Sequence, residues 1–290
     1  MNLSIEIKGT RNKFGDFRAI ELIREAGFDA VDYSFYGYSD ESEFLGENYR
    51  EYAKEVRGKL DEVGLVCNQA HAPFSAFLYG MPFSEEDKNF RDVVRAIESA
   101  SILGAKCIIV HSLKIPDDKK NEVCVVEYNR KYYDALLPYA KKFGIKIAVE
   151  TLFERDTKRM RFRSRFATPE EFNAFVGSLD PEYFTGCIDI GHVSLTYRDA
   201  EDFITRVDPR LAGALHVQDG DYRDDRHTLP FIGDFNWENI MKALKSINYS
   251  GDFTFELTKY TNKFPDELVP EALKFARKIG RHLIGMFENA

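Results

Sequence analysis

A (β/α)8 barrel folded as one domain over residues 1–290 is the architecture this sequence predicts. Eight short apolar runs alternate with eight helix-like segments, an alternation that calls for a parallel sheet closed by its crossovers. Glycines 27, 64, 104 and 144 recur at intervals of 37, 40 and 40 residues, each ending a helix-like segment just before an apolar run. The rival open sheet lacks support, because no Gly-rich phosphate loop follows the first run.

Taken in order, the strands are expected at 3–8, 28–35, 65–71, 105–111, 145–150, 183–189, 210–216 and 252–257. Helices are expected near 15–26, 47–63, 84–103, 122–143, 168–178, 198–206, 236–247 and 267–287. Helical periodicity carries these segments, as in Tyr132, Leu136, Leu137, Tyr139 and Ala140. The clearest helix start is Thr168-Pro169-Glu170-Glu171: Thr caps, Pro suits the first turn, and Glu171 completes a capping box. No linker, low-complexity tract or composition shift divides the chain.

Composition narrows the function classes. At 44% hydrophobic and 14% aromatic the chain can bury a large core, which excludes a disordered or fibrous protein. No apolar run approaches the roughly 18–20 residues that span a bilayer, and the start Met1-Asn2-Leu3-Ser4-Ile5-Glu6 lacks secretory features. A soluble, cytoplasmic protein without membrane association is therefore expected. The net charge of −8 disfavours a general nucleic-acid binder. Cys67, Cys107 and Cys187 sit in apolar runs, Cys124 in a polar one, and no CxxC pair exists, so reduced thiols are expected.

Barrel chemistry lies at the C-terminal ends of the strands. From the third strand to the eighth, those ends read His71, His111, Glu150, Asp189, His216 and Glu256, each closing an apolar run. One such residue is explained by an ordinary hydrogen bond; six in succession point to a shared site. Five of the six histidines (71, 111, 192, 216 and 227) fall at strand ends or just beyond. Glu150, Asp189, His216 and Glu256 suit Mn²⁺, Mg²⁺ or Co²⁺. His71, His111, His192, Asp225 and His227 are richer in imidazole and suit Zn²⁺ or substrate contacts. One ion or several stays open at this level.

The motifs His71-Ala72-Pro73-Phe74, Ala148-Val149-Glu150-Thr151, Cys187-Ile188-Asp189-Ile190-Gly191-His192, Leu215-His216-Val217-Gln218-Asp219, Asp225-Arg226-His227 and Phe255-Glu256-Leu257 together resemble the xylose isomerase-like barrel superfamily. That superfamily includes sugar isomerases, epimerases and endonuclease IV. The resemblance to its isomerase and epimerase branch implies that Glu150, Asp189, His216 and Glu256 hold one divalent ion and that Glu150 and Glu256 are the acid–base pair. A proton α to a carbonyl would leave, with the metal stabilising the enediolate. His192 and Arg223 would contact substrate oxygens. The aromatics Phe74, Phe77, Tyr79 and Trp237 suit sugar faces and core packing equally. Endonuclease IV implies instead three zinc ions on the same four residues plus His71, His111, His192, Asp225 and His227. A third possibility is a metal-binding subunit of a carbohydrate-processing complex of the dehydratase or C-glycoside lyase type. The run Leu229-Pro230-Phe231-Ile232-Gly233-Asp234-Phe235-Asn236-Trp237 resembles the isomerase branch, with Phe231 standing where a glycine is expected and expected to reshape the pocket rim.

Residues 155–166 carry six basic side chains and one acidic one in the loop after the fifth strand. They suit an anionic sugar substituent, DNA with Phe162 and Phe166 stacking on bases, or a solvated loop or contact in a homo-oligomer. A small carbohydrate is the expected partner, with nucleic acid as the alternative.

Overall fold

The computed structural model describes residues 1–37, 43–74, 80–115, 124–156, 161–163, 166 and 168–290. Phe77, Tyr79 and residues 157–160, 164 and 165 of the basic stretch lie outside them.

The first five barrel strands are β1 (Leu3–Glu6), β2 (Ala30–Ser34), β3 (Val66–His71), β4 (Cys107–Val110) and β5 (Lys146–Glu150). A two-stranded antiparallel hairpin, β6 (Glu154–Asp156) and β7 (Arg161–Arg163), follows β5 where a plain loop was expected. The barrel resumes with β8 (Phe184–Asp189), β9 (Ala212–His216) and β10 (Phe253–Phe255). These eight strands pair in parallel in the order β10-β1-β2-β3-β4-β5-β8-β9. A parallel bridge from Val217 to Phe255 joins the two ends and closes the barrel.

The helices are α1 (Lys8–Ala26), α2 (Tyr49–Val63), α3 (Lys88–Leu103), α4 (Val125–Phe143), α5 (Pro169–Val176), α6 (Ile190–Thr196), α7 (Ala200–Arg206), α8 (Trp237–Ser246) and α9 (Val269–Asn289). The periodic glycines end α1 to α4 in the left-handed conformation, which explains why glycine stands there. Thr168 forms the predicted capping box with Glu171. The helix expected from residue 15 begins seven residues earlier, and Gly15 marks a break within it at φ 74°. α6 is an addition: the Asp189 carboxylate accepts from the His192 N–H and so starts a helix directly at the end of β8. Among the described residues, no helix is long and apolar enough to cross a membrane. All four cysteines are free, and Cys124 alone of them is exposed.

The barrel interior has two chemically distinct sides. Cys107, Ile109, Ala148, Cys187 and Ala214, from β4, β5, β8 and β9, form a small apolar cluster. The side built from β1, β2, β3 and β10 buries Ser4, Asp32, Asn68, Gln69 and Thr254. Such polar groups are costly to bury unless hydrogen-bonded, and they are bonded to one another.

Candidate metal centre

The ends of β5, β8 and β9 and the residue after β10 carry Glu150, Asp189, His216 and Glu256, and all four are buried. Each offers a ligand atom, and these atoms lie within 4.8 Å of one another. Parallel pairing of neighbouring strands brings them together: register sets Glu150 beside Cys187 and Asp189 beside His216. His216 Nδ1 lies 2.7 Å from Glu150 Oε1, 3.7 Å from Glu256 Oε2 and 3.9 Å from Asp189 Oδ2.

The other five predicted residues surround this centre. His111 Nε2 is 2.6 Å from Glu150 Oε2, and His71 Nε2 is 3.0 Å from His111 Nε2. Glu150 is thus shared between the four-residue group and a second group of His71, His111 and Glu150. His192 is held by the Thr151 carbonyl, 2.9 Å from Nδ1. His227 Nδ1 donates to the Glu256 carbonyl at 2.9 Å, and its Nε2 lies 2.8 Å from Asp225 Oδ2. His192 Nε2 lies 3.8 Å from Asp225 Oδ1.

A cavity of about 400 Å³ opens above these groups, lined by His111, His192, Asp225, His227 and Glu256 together with Lys8, Tyr36, Phe74, Lys114, Phe153 and Lys259. Phe74 is therefore placed at the cavity, as read from the sequence. Arg223 is exposed and does not line it. Trp237 is also absent from the wall: it is buried, and its indole N–H donates to Asp219. Phe231 points away from the rim, half-exposed, with its ring 5.9 Å from that of His282. Its φ of 72° explains why a glycine suits that position better. Phe166 is enclosed in the core, stacked on Phe175 at 4.3 Å, and is not available to bases.

Electrostatics separate the two glutamates. Burial favours the neutral acid at both. At Glu150 the charges and hydrogen bonds of His216 and His111 overcome burial and hold the carboxyl well below the usual range. At Glu256 burial prevails, reinforced by Asp189 and Glu150, and raises the pKa well above the usual range. Burial opposes charge on His216, but the surrounding carboxylates and the hydrogen bond with Asp32 outweigh it and hold its pKa well above normal. Burial lowers that of His111 to about 4. The two carboxyls around this one centre are therefore shifted in opposite directions.

The donor set fits a divalent cation. Three carboxylates and one imidazole converge in a buried site, and Glu256 Oε2 has no hydrogen-bond partner among the described residues. A cation supplies the missing partner and the missing charge.

Sequence reasoning overlooked Glu6, Asp32 and Gln218. Glu6, at the end of β1, accepts from the Ser34 hydroxyl; Asp32, in β2, lies 3.0 Å from His216 Nε2. The Gln218 amide donates to both Asp189 oxygens, at 3.3 and 3.2 Å, while its carbonyl accepts from the His227 N–H. For Asp32, a charged residue inside the otherwise largely apolar β2 was the available signal.

Residues 20–279 match the model of the xylose isomerase-like TIM barrel family. An uncharacterised protein of Sinorhizobium fredii, y4fM, is 28% identical over 267 residues, covering 82% of this chain and 79% of that protein. A D-tagatose 3-epimerase-like protein superposes with a TM-score of 0.76 at 21% identity, covering 100% of this chain and 99% of its own. D-psicose 3-epimerase, solved in the presence of D-fructose, gives 0.72 at 18% identity, with 98% and 100% covered. Those two likenesses are likenesses of fold. The matched length, together with a barrel carrying these strand-end residues, places the chain in the xylose isomerase-like TIM barrel family.

Proposed function

We propose that this protein is a divalent-metal-dependent sugar isomerase or epimerase acting on a small ketose, aldose or polyol derivative. The observation that carries the reading is the convergence of Glu150, Asp189, His216 and Glu256 beside an open cavity that Glu256 lines, with the two glutamates shifted in opposite directions. The fold shared with D-tagatose and D-psicose 3-epimerase-like proteins supports a sugar as the occupant. A bound Mn²⁺, Mg²⁺, Co²⁺ or Zn²⁺ would supply Lewis acidity toward a carbonyl and its neighbouring hydroxyl. Glu150, kept ionised, takes the proton from the carbon next to the carbonyl. Glu256 returns a proton to the opposite face of that carbon or to its neighbour. His192 and His227 orient sugar hydroxyls, and the Phe74 and Tyr36 rings cover the apolar face of the sugar. The test is solvent deuterium incorporation into ketohexoses such as D-fructose by the Mn²⁺-loaded protein in D₂O. Absence of exchange across ketoses and aldoses would count against the reading.

Three lysines line the cavity, which favours a sugar carrying an acidic group. Lys8 is the clearest: its ammonium lies 4.3 Å from the Tyr36 ring centroid and makes no ion pair or hydrogen bond among the described residues. Its pKa is lowered by burial, an energetic cost that an anionic substituent would relieve. Lys8→Gln is expected to raise KM for a phosphorylated ketose about 10- to 100-fold, the worth of a charge-assisted hydrogen bond. The KM of its neutral counterpart should not change. Equal effects on both sugars would remove the acidic group from the proposal.

The protonation of His216 and Glu256 has a consequence for metal binding. Both pKa values are raised, so both groups retain protons at a pH where free imidazole and carboxyl groups have lost them. A cation at this centre competes with the proton on His216, so its affinity is expected to rise with pH, with proton release on binding. Calorimetry in buffers of differing ionisation heat measures that release. A pH-independent Kd would show that the cation binds elsewhere.

A second reading, zinc-dependent phosphodiester hydrolysis of the endonuclease IV kind, draws on the group formed by His71, His111 and Glu150. Metal analysis separates the two. One ion per chain supports sugar chemistry; three tightly held zinc ions with nicking of abasic-site DNA support hydrolysis.

A further inference from the structure

Five buried side chains form a hydrogen-bonded chain that crosses the barrel interior and ends at His216. The Ser4 hydroxyl donates to Asn68 Oδ1 at 2.7 Å, and Asn68 Nδ2 donates to Thr254 Oγ1 at 3.1 Å. The Thr254 hydroxyl donates to Gln69 Oε1 at 3.3 Å, and Gln69 Nε2 donates to Asp32 Oδ2 at 2.8 Å. The same Asp32 oxygen lies 3.0 Å from His216 Nε2. Several links join strands that are not neighbours in the sheet, such as β1 with β3 and β3 with β10, so they span the lumen.

The four links from Ser4 to Asp32 all run in one direction, toward Asp32. An amide places its NH₂ opposite its carbonyl, so accepting from Thr254 turns the Gln69 donor toward Asp32. The Asp32 oxygen that faces His216 already accepts from Gln69, so the bond with His216 is made by a proton on Nε2. Nδ1 then faces Glu150, Glu256 and Asp189 and becomes the nitrogen available to a cation.

We propose that Asp32, oriented by Gln69 and the Thr254–Asn68–Ser4 chain, is a positioning residue that fixes the ring orientation and tautomer of His216 for metal binding. The proposal rests on the metal-centre reading above. It also accounts for the polar side of the barrel interior: an apolar filling like that of the β4–β9 side would pack without this cost, but it would leave His216 Nε2 without an acceptor.

Asp32→Asn keeps the shape and removes the charge, and thermal melting of the metal-free protein confirms folding. Zn²⁺ affinity by calorimetry is expected to fall about 10- to 100-fold, the usual effect of removing such a partner. In the Zn²⁺-loaded protein, the imidazole Nε2–H proton of His216 is expected far downfield by NMR, moving upfield in Asp32→Asn. Gln69→Leu should move the same resonance while leaving every proposed ligand in place. Zn²⁺ bound with equal affinity by wild type and Asp32→Asn, with an unchanged resonance, would overturn the positioning role while leaving the metal centre intact. Failure of the wild type itself to bind Zn²⁺ would overturn the metal centre, and this inference with it.

Discussion

Glu150→Gln is expected to abolish deuterium exchange from D₂O into substrate, lowering kcat by at least about 10⁴-fold. Loss of a general base costs about 10²- to 10⁴-fold, and loss of a charged ligand at the metal centre adds to it. Glu150 occupies the one position shared by both candidate groups: Oε1 faces His216 and Oε2 faces His111. Its depressed pKa makes it the carboxylate ready to accept a proton at neutral pH. Gln keeps the shape, so the fold should persist, as circular dichroism and melting can confirm. Metal content should be measured alongside exchange, which separates loss of the ion from loss of the base. A variant that retains metal and continues to exchange protons would transfer the base role to Glu256, whose raised pKa otherwise suits it to donate.

Much of the barrel was legible because its signals are local. A helix that ends beside a strand needs a residue tolerant of positive φ, and Gly27, Gly64, Gly104 and Gly144 supply it. The site was legible from the third strand onward because a lone charged residue at the end of an apolar run is costly without a partner. Asp32 and Gln69 escaped notice because they lie within their strands, not at the ends. Both faces of a barrel strand are covered, so alternation does not tell which polar residue points into the lumen. Nor does the sequence state that Ser4, Asn68 and Thr254, far apart along the chain, share one hydrogen-bonded chain. Trp237 was misplaced for a related reason. An aromatic residue next to a cavity-forming loop suits a sugar or a core equally, and only the partner of its N–H distinguishes them.

That partner, Asp219, leads to the largest expected effect on stability. Its carboxylate is fully buried and accepts four bonds: from the N–H groups of Gly220 at 2.8 Å, Phe231 at 2.9 Å and Phe235 at 3.2 Å, and from the Trp237 indole at 2.8 Å. Its backbone pairs with Thr228, next to His227. One side chain therefore closes the loop that delivers Asp225 and His227 to the cavity. Asp219→Ala strands three backbone donors and an indole N–H, and is expected to destabilise the fold by about 3–5 kcal/mol, as measured by urea denaturation. Trp237→Phe removes one of the four donors and should cost only about 1–2 kcal/mol, with substrate KM unchanged. A large rise in KM with little loss of stability would return Trp237 to the substrate. The opposite pattern shows that its work is to hold this loop closed over the metal centre, and Asp219→Ala should then weaken metal binding as well, although Asp219 is not among the four proposed ligands.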